Sequence, residues 1–310
     1  MKKEYKFYIN GKWKKSNEKY DLRNPFNNEV LTSIYRATES DIEDAIIGAE
    51  KAFKITRNYS SYEKENILKN VINGIKNRKD ELGRIISLEA GKCIKHALAE
   101  VNRTIVTFSL AKEEVKRVGG EIMQLDFLQA NKGRFGLVKK FPIGPIAGIS
   151  PFNFPLNLVA HKVAPAIAVG NPIILKPASQ TPISALILAE IIDQSGLEKG
   201  GFSVVTSSAS ESSKLVEDDR IKKLTFTGSP EVGWEMKKRT GKKKITLELG
   251  GNSGAIIDSD FNEDELDRIV QKCVTGGFAY QGQVCIHLQR IYVHDKIYDN
   301  FKTKLIDNWF

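Results

Sequence analysis

The chain has 310 residues, 41% of them hydrophobic, and 47 Lys plus Arg against 38 Asp plus Glu give it a net charge of +9. That length and apolar content suit two globular domains with ordinary cores and exclude a disordered or fibrous chain. The excess charge is mostly lysine spread along helical stretches (Lys64, Lys69, Lys76, Lys79) without aromatic interleaving, which argues against nucleic acid and suits ligands carrying phosphate.

In chain order, the basic start Met1 to Lys6 leads into no apolar segment, so no signal peptide is expected. Phe7 to Lys14 reads as a tight hairpin with Asn10-Gly11 supplying the positive-φ turn. Amphipathic helices follow. Ser40-Asp41-Ile42-Glu43 is expected to open the first as a capping box, Ser61 begins a second, and a third runs from Ile94 to Val118 after a break at Gly91. Gly119 to Lys140 is extended, with Asn131-Lys132-Gly133 as a turn between two arms; the hairpin either pairs with another subunit or folds back on its own domain.

From Gly144 the pattern alternates strand and helix. Strands are expected at Pro145 to Ser150, Pro172 to Lys176, Phe202 to Thr206, Lys223 to Thr227 and Lys244 to Glu248. Helices are expected at Pro155 to Val169, Pro182 to Gln194, Ser210 to Glu217 and Pro230 to Thr240. Short β-branched strands separated by helices predict an α/β fold, a doubly wound parallel sheet whose ligands bind at the carboxyl ends of the strands. The residues just after the strands are therefore the candidates. Asn153 reads as a turn residue before Pro155 or as a side chain in the cleft, and Lys176 as a snorkelling surface lysine or a ligand-facing one. Gly228 and Ser229 at a helix start make an anion site. Glu248, between Leu247 and Leu249, reads as a solvent-facing strand glutamate or a base in the cleft.

The stretch Gly276 to Cys285 presents a thiol at the end of a glycine-containing turn, before the strand-like run Ile291 to Val293. Cys285 is either a small buried hydrophobe or a nucleophile. Cys93, Cys273 and Cys285 lack zinc or disulfide spacing, and His96, His161, His287 and His294 form no metal pattern. A reducing, cytoplasmic setting without a metal is expected, and the broken apolar region from Ile143 to Leu175 is no membrane span.

Together Pro151 to Pro155, Lys176-Pro177, Phe226 to Ser229, Leu247 to Gly251 and Gly282 to Cys285 resemble the aldehyde dehydrogenase superfamily in order and spacing, as do Asn10 to Trp13 and Asn24-Pro25. The resemblance implies a Rossmann-type dinucleotide-binding domain over residues 1–122 and 143–248. It implies a protruding bridging and oligomerisation hairpin over 123–142 and an incomplete, C-terminally truncated α/β catalytic domain over 249–310. It implies that Cys285 attacks the aldehyde carbon, that Asn153 and the Cys285 backbone N–H hold the oxyanion, and that Glu248 activates the water that hydrolyses a thioester. NADP or NAD is the implied cofactor, held around Ser150, Pro151, Phe152, Lys176, Ser179, Gly228, Ser229 and Leu249.

The chain departs from the family pattern at several points. Many relatives that prefer NAD carry a glutamate where this chain has Ser179, so acceptance of NADP is expected. Family glycines are replaced within Thr206-Ser207-Ser208-Ala209 and at Ser213, which is expected to weaken cofactor binding. Val284 lacks the charge that favours a phosphorylated aldehyde, and the general run resembles lactaldehyde and related hydroxy-aldehyde dehydrogenases. Two alternatives are an enzyme passing the thioester to coenzyme A, against which Glu248 argues, and an inactive truncated paralogue that binds nucleotide or a full-length partner. Homo-oligomers are implied by the family.

Overall fold

The hairpin expected at the start forms from strands Phe7–Ile9 and Lys12–Lys14, with Asn10 at φ 52° and Gly11 at φ 78° in its turn. In the computed structural model, which describes residues 1–308, it joins the edge of a seven-stranded sheet. From the opposite edge the sheet runs Lys244–Leu249, Lys223–Gly228, Ile146–Ile149, Ile173–Lys176, Phe202–Val204, Phe7–Ile9 and Lys12–Lys14. The four strands from Lys223–Gly228 to Phe202–Val204 are mutually parallel, and the hairpin adds antiparallel. The chain divides into two units, Met1–Thr227 with Gly233–Leu247, and Gly228–Val232 with Glu248–Phe310. Trp309 and Phe310, the end of the expected domain 249–310, lie outside the described residues.

Chain direction across this sheet reverses once. Helices Asn157–Ala168 and Ile183–Asp193 carry the chain outward from Ile146–Ile149 by two successive parallel strands. Ser213–Glu217 then leads back to Lys223–Gly228 on the other side of Ile146–Ile149. Right-handed crossovers put the first two helices on one face and the third on the other, which is the doubly wound, Rossmann-type arrangement. Helix Glu39–Thr56 packs beside Ser213–Glu217 and against Phe7–Ile9 and Ile173–Lys176. In sheets of this order the reversal is where ligands bind, here at the carboxyl ends of Ile146–Ile149 and Lys223–Gly228.

The outer helices differ from their expected boundaries. Glu39–Thr56 is capped by Thr38, whose side chain accepts from the Asp41 amide while the Asp41 carboxylate accepts from Thr38; Ser40 already lies inside the helix. The chain turns two residues early because the Ala37 amide donates to the Thr206 carbonyl at 3.0 Å, which leaves Thr38 extended at the helix entrance. Ser61–Asn77 is followed at once by a further helix, Lys79–Ala90, with Arg78 ending one and starting the other. No glycine or proline marks that junction, so sequence punctuation does not reveal it. Gly91, at φ 66°, ends it, and Ile94–Glu114 stops short of Val118.

Gly120–Gln124 and Phe135–Lys139 pair with each other as an antiparallel ribbon. Their side chains, including Ile122, Met123, Phe135 and Leu137, are exposed. In the second unit, strands Ser253–Ile257 and Leu288–Val293 are parallel and joined through helix Glu263–Phe278. Ile257, Leu266, Val270, Cys273 and Phe301 form its core. The helix passes through Gly276 and Gly277, so of the glycines in the stretch ending at Cys285 only Gly282 belongs to the turn. No helix among the described residues is long and apolar enough to cross a membrane.

Candidate active site

Strand Ile146–Ile149 ends at Ser150, which is buried, and its backbone N–H donates to the Lys176 carbonyl at 3.2 Å. The Ser150 hydroxyl is buried without a hydrogen-bond partner. Pro151 and Asn153 are half-buried and Phe152 is exposed at the start of the loop that leads into helix Asn157–Ala168. That loop is held from below by a side chain that sequence reasoning missed. Glu100, 2% exposed, accepts through Oε1 from the Leu156 and Asn157 backbone N–H groups at 3.0 and 3.1 Å. Through Oε2 it accepts from Lys92 Nζ at 2.5 Å.

Two unpaired N–H groups at a helix start are natural partners for a carboxylate, so Glu100 caps from a distance. Burial pushes the Lys92 ammonium below its usual range, and the Glu100 charge opposes that shift. Lys92 Nζ also sits 3.7 Å from the centre of the Phe154 ring, adjacent to Asn153. Glu89 performs the same service for helix Ile183–Asp193, accepting from the Ile183 and Ser184 backbone N–H groups at 2.7 and 3.0 Å. Burial raises its carboxyl to about 7, with those hydrogen bonds opposing. The signal for both was available: an acidic residue standing in the apolar stripe of an amphipathic helix, beside Ile85 and Ile86 or Ala97 and Val101.

Lys176 ends the next strand. Its Nζ makes a weak contact with the Pro177 carbonyl at 3.4 Å. Burial lowers its pKa most, the Arg36 charge lowers it further, and Glu211 pulls the other way. Arg36 lies 4.6 Å from the centre of the Tyr20 ring, and the Tyr20 hydroxyl donates to the Ser179 carbonyl at 3.0 Å. Lys176, Ser179, Arg36 and Tyr20 thus form one group, of which only the first two were singled out in the sequence. The segment in which family glycines are replaced ties its own turn: the Ser208 N–H donates to Glu211 Oε2 at 2.7 Å, and the Ser207 and Ser212 hydroxyls share a hydrogen bond of 2.9 Å.

Asn153 belongs to the first unit; Gly228, Ser229, Glu248, Leu249 and Cys285 belong to the second. Ser229 is exposed at the start of helix Pro230–Arg239, and its hydroxyl receives the Val232 N–H at 3.5 Å. Glu248 is exposed and Leu249 half-buried at the end of strand Lys244–Leu249. Past them, Gly251 lies against the backbone of Cys285: a Cβ there would stand 3.7 Å from the Cys285 carbonyl oxygen. Gln289 Nε2 donates to the Gly251 carbonyl and Arg290 Nη2 to that of Asn252, both at 3.0 Å. The parallel pairing of Ser253 with Leu288 brings these two segments side by side.

Cys285 is exposed in a turn, just beyond three successive left-handed residues, Tyr280, Gln281 and Gly282 at φ 48°, 51° and 73°. His287 Nε2 would be 3.1 Å from a Cβ on Gly282, so a side chain there would crowd the imidazole in a φ that already favours glycine. Cys273, by contrast, is buried in the core, and burial raises its thiol pKa. Among the described residues, no group of three His, Cys, Asp or Glu side chains is placed to hold a metal ion.

A model of the aldehyde dehydrogenase family matches residues 13–309. The chain is 38% identical over 304 residues to 3-sulfolactaldehyde dehydrogenase of Priestia aryabhattai, covering 98% of this chain and 63% of that protein. Among solved structures it resembles aldehyde dehydrogenase 21 from Physcomitrella patens in complex with the reaction product succinate, with a TM-score of 0.95 and 45% identity over 99% of this chain and 64% of that one. It also resembles the NADP-dependent glyceraldehyde-3-phosphate dehydrogenase of Bacillus halodurans C-125 complexed with NADP, with a TM-score of 0.93 and 31% identity over 98% of this chain and 64% of that one.

Proposed function

The chain belongs to the aldehyde dehydrogenase family, and from that premise we propose that it serves the oxidation of a small, lactaldehyde-like aldehyde to its carboxylic acid with NADP or NAD. Cys285 is the nucleophile: its thiolate adds to the aldehyde carbon and gives a thiohemiacetal. The Asn153 amide and the Cys285 backbone N–H stabilise the oxyanion of that adduct. The dinucleotide, when bound, supplies a hydride acceptor, and a thioester on Cys285 is what remains for the chain to discharge. Glu248 removes a proton from the attacking water; the carboxylic acid departs and the thiolate is restored. Keeping a water-activating carboxylate argues against transfer to coenzyme A.

The observation that carries this reading is the contact of Gly251 with the Cys285 backbone, which makes neighbours of the segment carrying Glu248 and the turn carrying the thiol. The donor set of the first unit fits a phosphate-bearing dinucleotide. Lys176 is a partly buried cation, Arg36 adds a second positive charge, and position 179 offers a hydroxyl where a carboxylate would repel phosphate. We assign residues 1–122 and 143–248 to dinucleotide binding, residues 249–310 to catalysis, and Ser150, Pro151, Phe152, Gly228, Ser229 and Leu249 to the cofactor's surroundings. A 3-sulfolactaldehyde dehydrogenase among the relatives and a neighbour in complex with the reaction product succinate both support a short aldehyde bearing polar groups. The exposed apolar side chains of the ribbon support a homo-oligomer, and free thiols suit a cytoplasmic setting.

The test is to mix the purified chain with NADP and lactaldehyde and follow the absorbance of the reduced nicotinamide. Turnover is expected and is abolished in Cys285→Ala, while Cys93→Ala retains it. A folded chain that binds NADP and yields no reduced cofactor is a nucleotide-binding protein without turnover, and this reading then fails.

A further inference from the structure

We propose that the basic cavity over strands Lys223–Gly228 and Lys244–Leu249 is a binding site for a small organic phosphate monoester, with Lys64, Lys140, Lys223 and Lys244 holding the phosphate dianion and the apolar wall around Ile143 and Val169 holding the carbon body. The site stands apart from the proposed chemistry, since none of its lining residues is among those assigned to catalysis or to the dinucleotide. All of them belong to the first unit.

Strand alternation makes this face. Lys223–Gly228 buries Leu224 and Phe226 on one side and turns Lys223 and Thr225 to the other, where the neighbouring strand adds Lys244 and Thr246. Strands in a doubly covered parallel sheet carry apolar residues on both faces, so lysine and threonine at these positions mark a face left partly open; Lys244 is exposed and the other three are half-buried. Helix Asn157–Ala168 forms one wall through Pro165, Ala166 and Ala168, and the segment from Phe141 to Ile143 forms another. The second wall is fixed, because the buried Asn171 side chain accepts from the Ile143 and Gly144 backbone N–H groups at 2.9 and 3.0 Å. The space between is about 480 Å³, enough for a body of sugar or nucleoside size with its phosphate.

Charge identifies the ligand. Five lysines line the cavity and, among the described residues, no aspartate or glutamate does. Lys64, Lys140, Lys223 and Lys244 form no ion pair among the described residues, whereas Lys116, Lys199, Lys214 and Lys304 each hold a carboxylate within 3.0 Å. The fifth, Lys162, is 5% exposed and donates to the Thr227 hydroxyl at 2.6 Å. Burial lowers the Lys64 pKa, and no neighbouring charge offsets that shift. Like charges gathered in one concavity repel each other and focus positive potential within it, and a bound dianion relieves the repulsion. Lysine suits phosphate as a mobile point charge with three donors, and the apolar wall favours phosphate carried on carbon over the free ion.

Calorimetric titration of the full chain with phenyl phosphate, inorganic phosphate and benzyl alcohol, each with and without excess NADP, tests the site. Phenyl phosphate is expected to bind once per chain, undisplaced by NADP and more tightly than inorganic phosphate, while benzyl alcohol gives no measurable heat. The paired change Lys223→Gln with Lys244→Gln is expected to weaken phenyl phosphate about 10- to 100-fold. Lys64→Gln is expected to weaken it about 3- to 10-fold without lowering the urea midpoint, since the ammonium it removes is desolvated and unpaired. The equal charge change Lys69→Gln with Lys76→Gln, at exposed positions on the same helix Ser61–Asn77, is expected to alter binding by less than about twofold. Displacement by NADP, equal losses in the two pairs, or inorganic phosphate binding as tightly as phenyl phosphate overturns the assignment. If the Lys223 and Lys244 pair changes sedimentation and leaves phenyl phosphate binding untouched, another chain covers this face and the assignment fails as well.

Discussion

Glu248 stands exposed at a strand end, where a carboxylate is free to work on water. Replacing it with glutamine keeps its shape and removes its basicity, so thiol attack and hydride loss proceed once and the thioester then persists. Glu248→Gln is expected to release about one reduced cofactor per chain in a rapid burst and then turn over about 10²- to 10⁴-fold more slowly, as stopped-flow absorbance would record. A uniform slowing without a burst contradicts the assigned role. Glu100 has a different kind of importance. It satisfies the entrance of helix Asn157–Ala168 and pairs with buried Lys92, so Glu100→Gln removes the carboxylate charge from that buried ion pair and is expected to destabilise the chain by about 3 kcal/mol in urea unfolding. The residues proposed for the chemistry could be picked out because each follows a strand end or a glycine turn within a short local motif. Glu89 and Glu100 are marked as buried acids by their apolar helix neighbours, but the helix starts they cap lie far away in the chain and no local spacing records the pairing.

At the scale of elements, a helix capped by a remote buried carboxylate makes stability depend on pH. Glu89 titrates at about 7 in the folded chain because burial disfavours its charge, against 4.5 when solvated. A raised folded pKa means that its contribution is fully present below pH 4.5 and is lost as pH rises toward 7, because over that window the unfolded chain binds fewer protons. The shift corresponds to about 3 kcal/mol. Urea unfolding of the parent and of Glu89→Gln at both ends of this window is expected to show the stability difference between them moving by about that amount, with the parent losing more as pH rises. A constant difference means that the carboxyl is already ionised in the fold. Helix limits were legible at Ser61, where the second helix starts, and at Gly91, which ends the run before Ile94. They misled where two capping sequences overlap: Thr38 prevails over Ser40 because the Ala37 amide is committed to the Thr206 carbonyl, a residue far along the chain.

At the scale of the whole molecule, the first unit's α/β order is written in alternating local periods, which is why most of its strands and helices were found at their expected places. Association with a second copy has no such periodicity, and only exposure distinguishes a ribbon that meets a partner from one that lies on its own core. Here Ile122, Met123, Phe135 and Leu137 are all solvent-facing, more apolar surface than a free two-stranded ribbon normally presents to water. None of them contributes to the buried core, so charged replacements there are expected to leave folding intact. The paired change Ile122→Asp with Leu137→Asp is expected to convert a sedimenting oligomer to monomer, with the circular dichroism spectrum preserved and the urea midpoint little changed. If the parent already sediments as a monomer, the exposed ribbon is not a homotypic interface. If the paired change unfolds the chain, the ribbon is part of its own domain's packing instead.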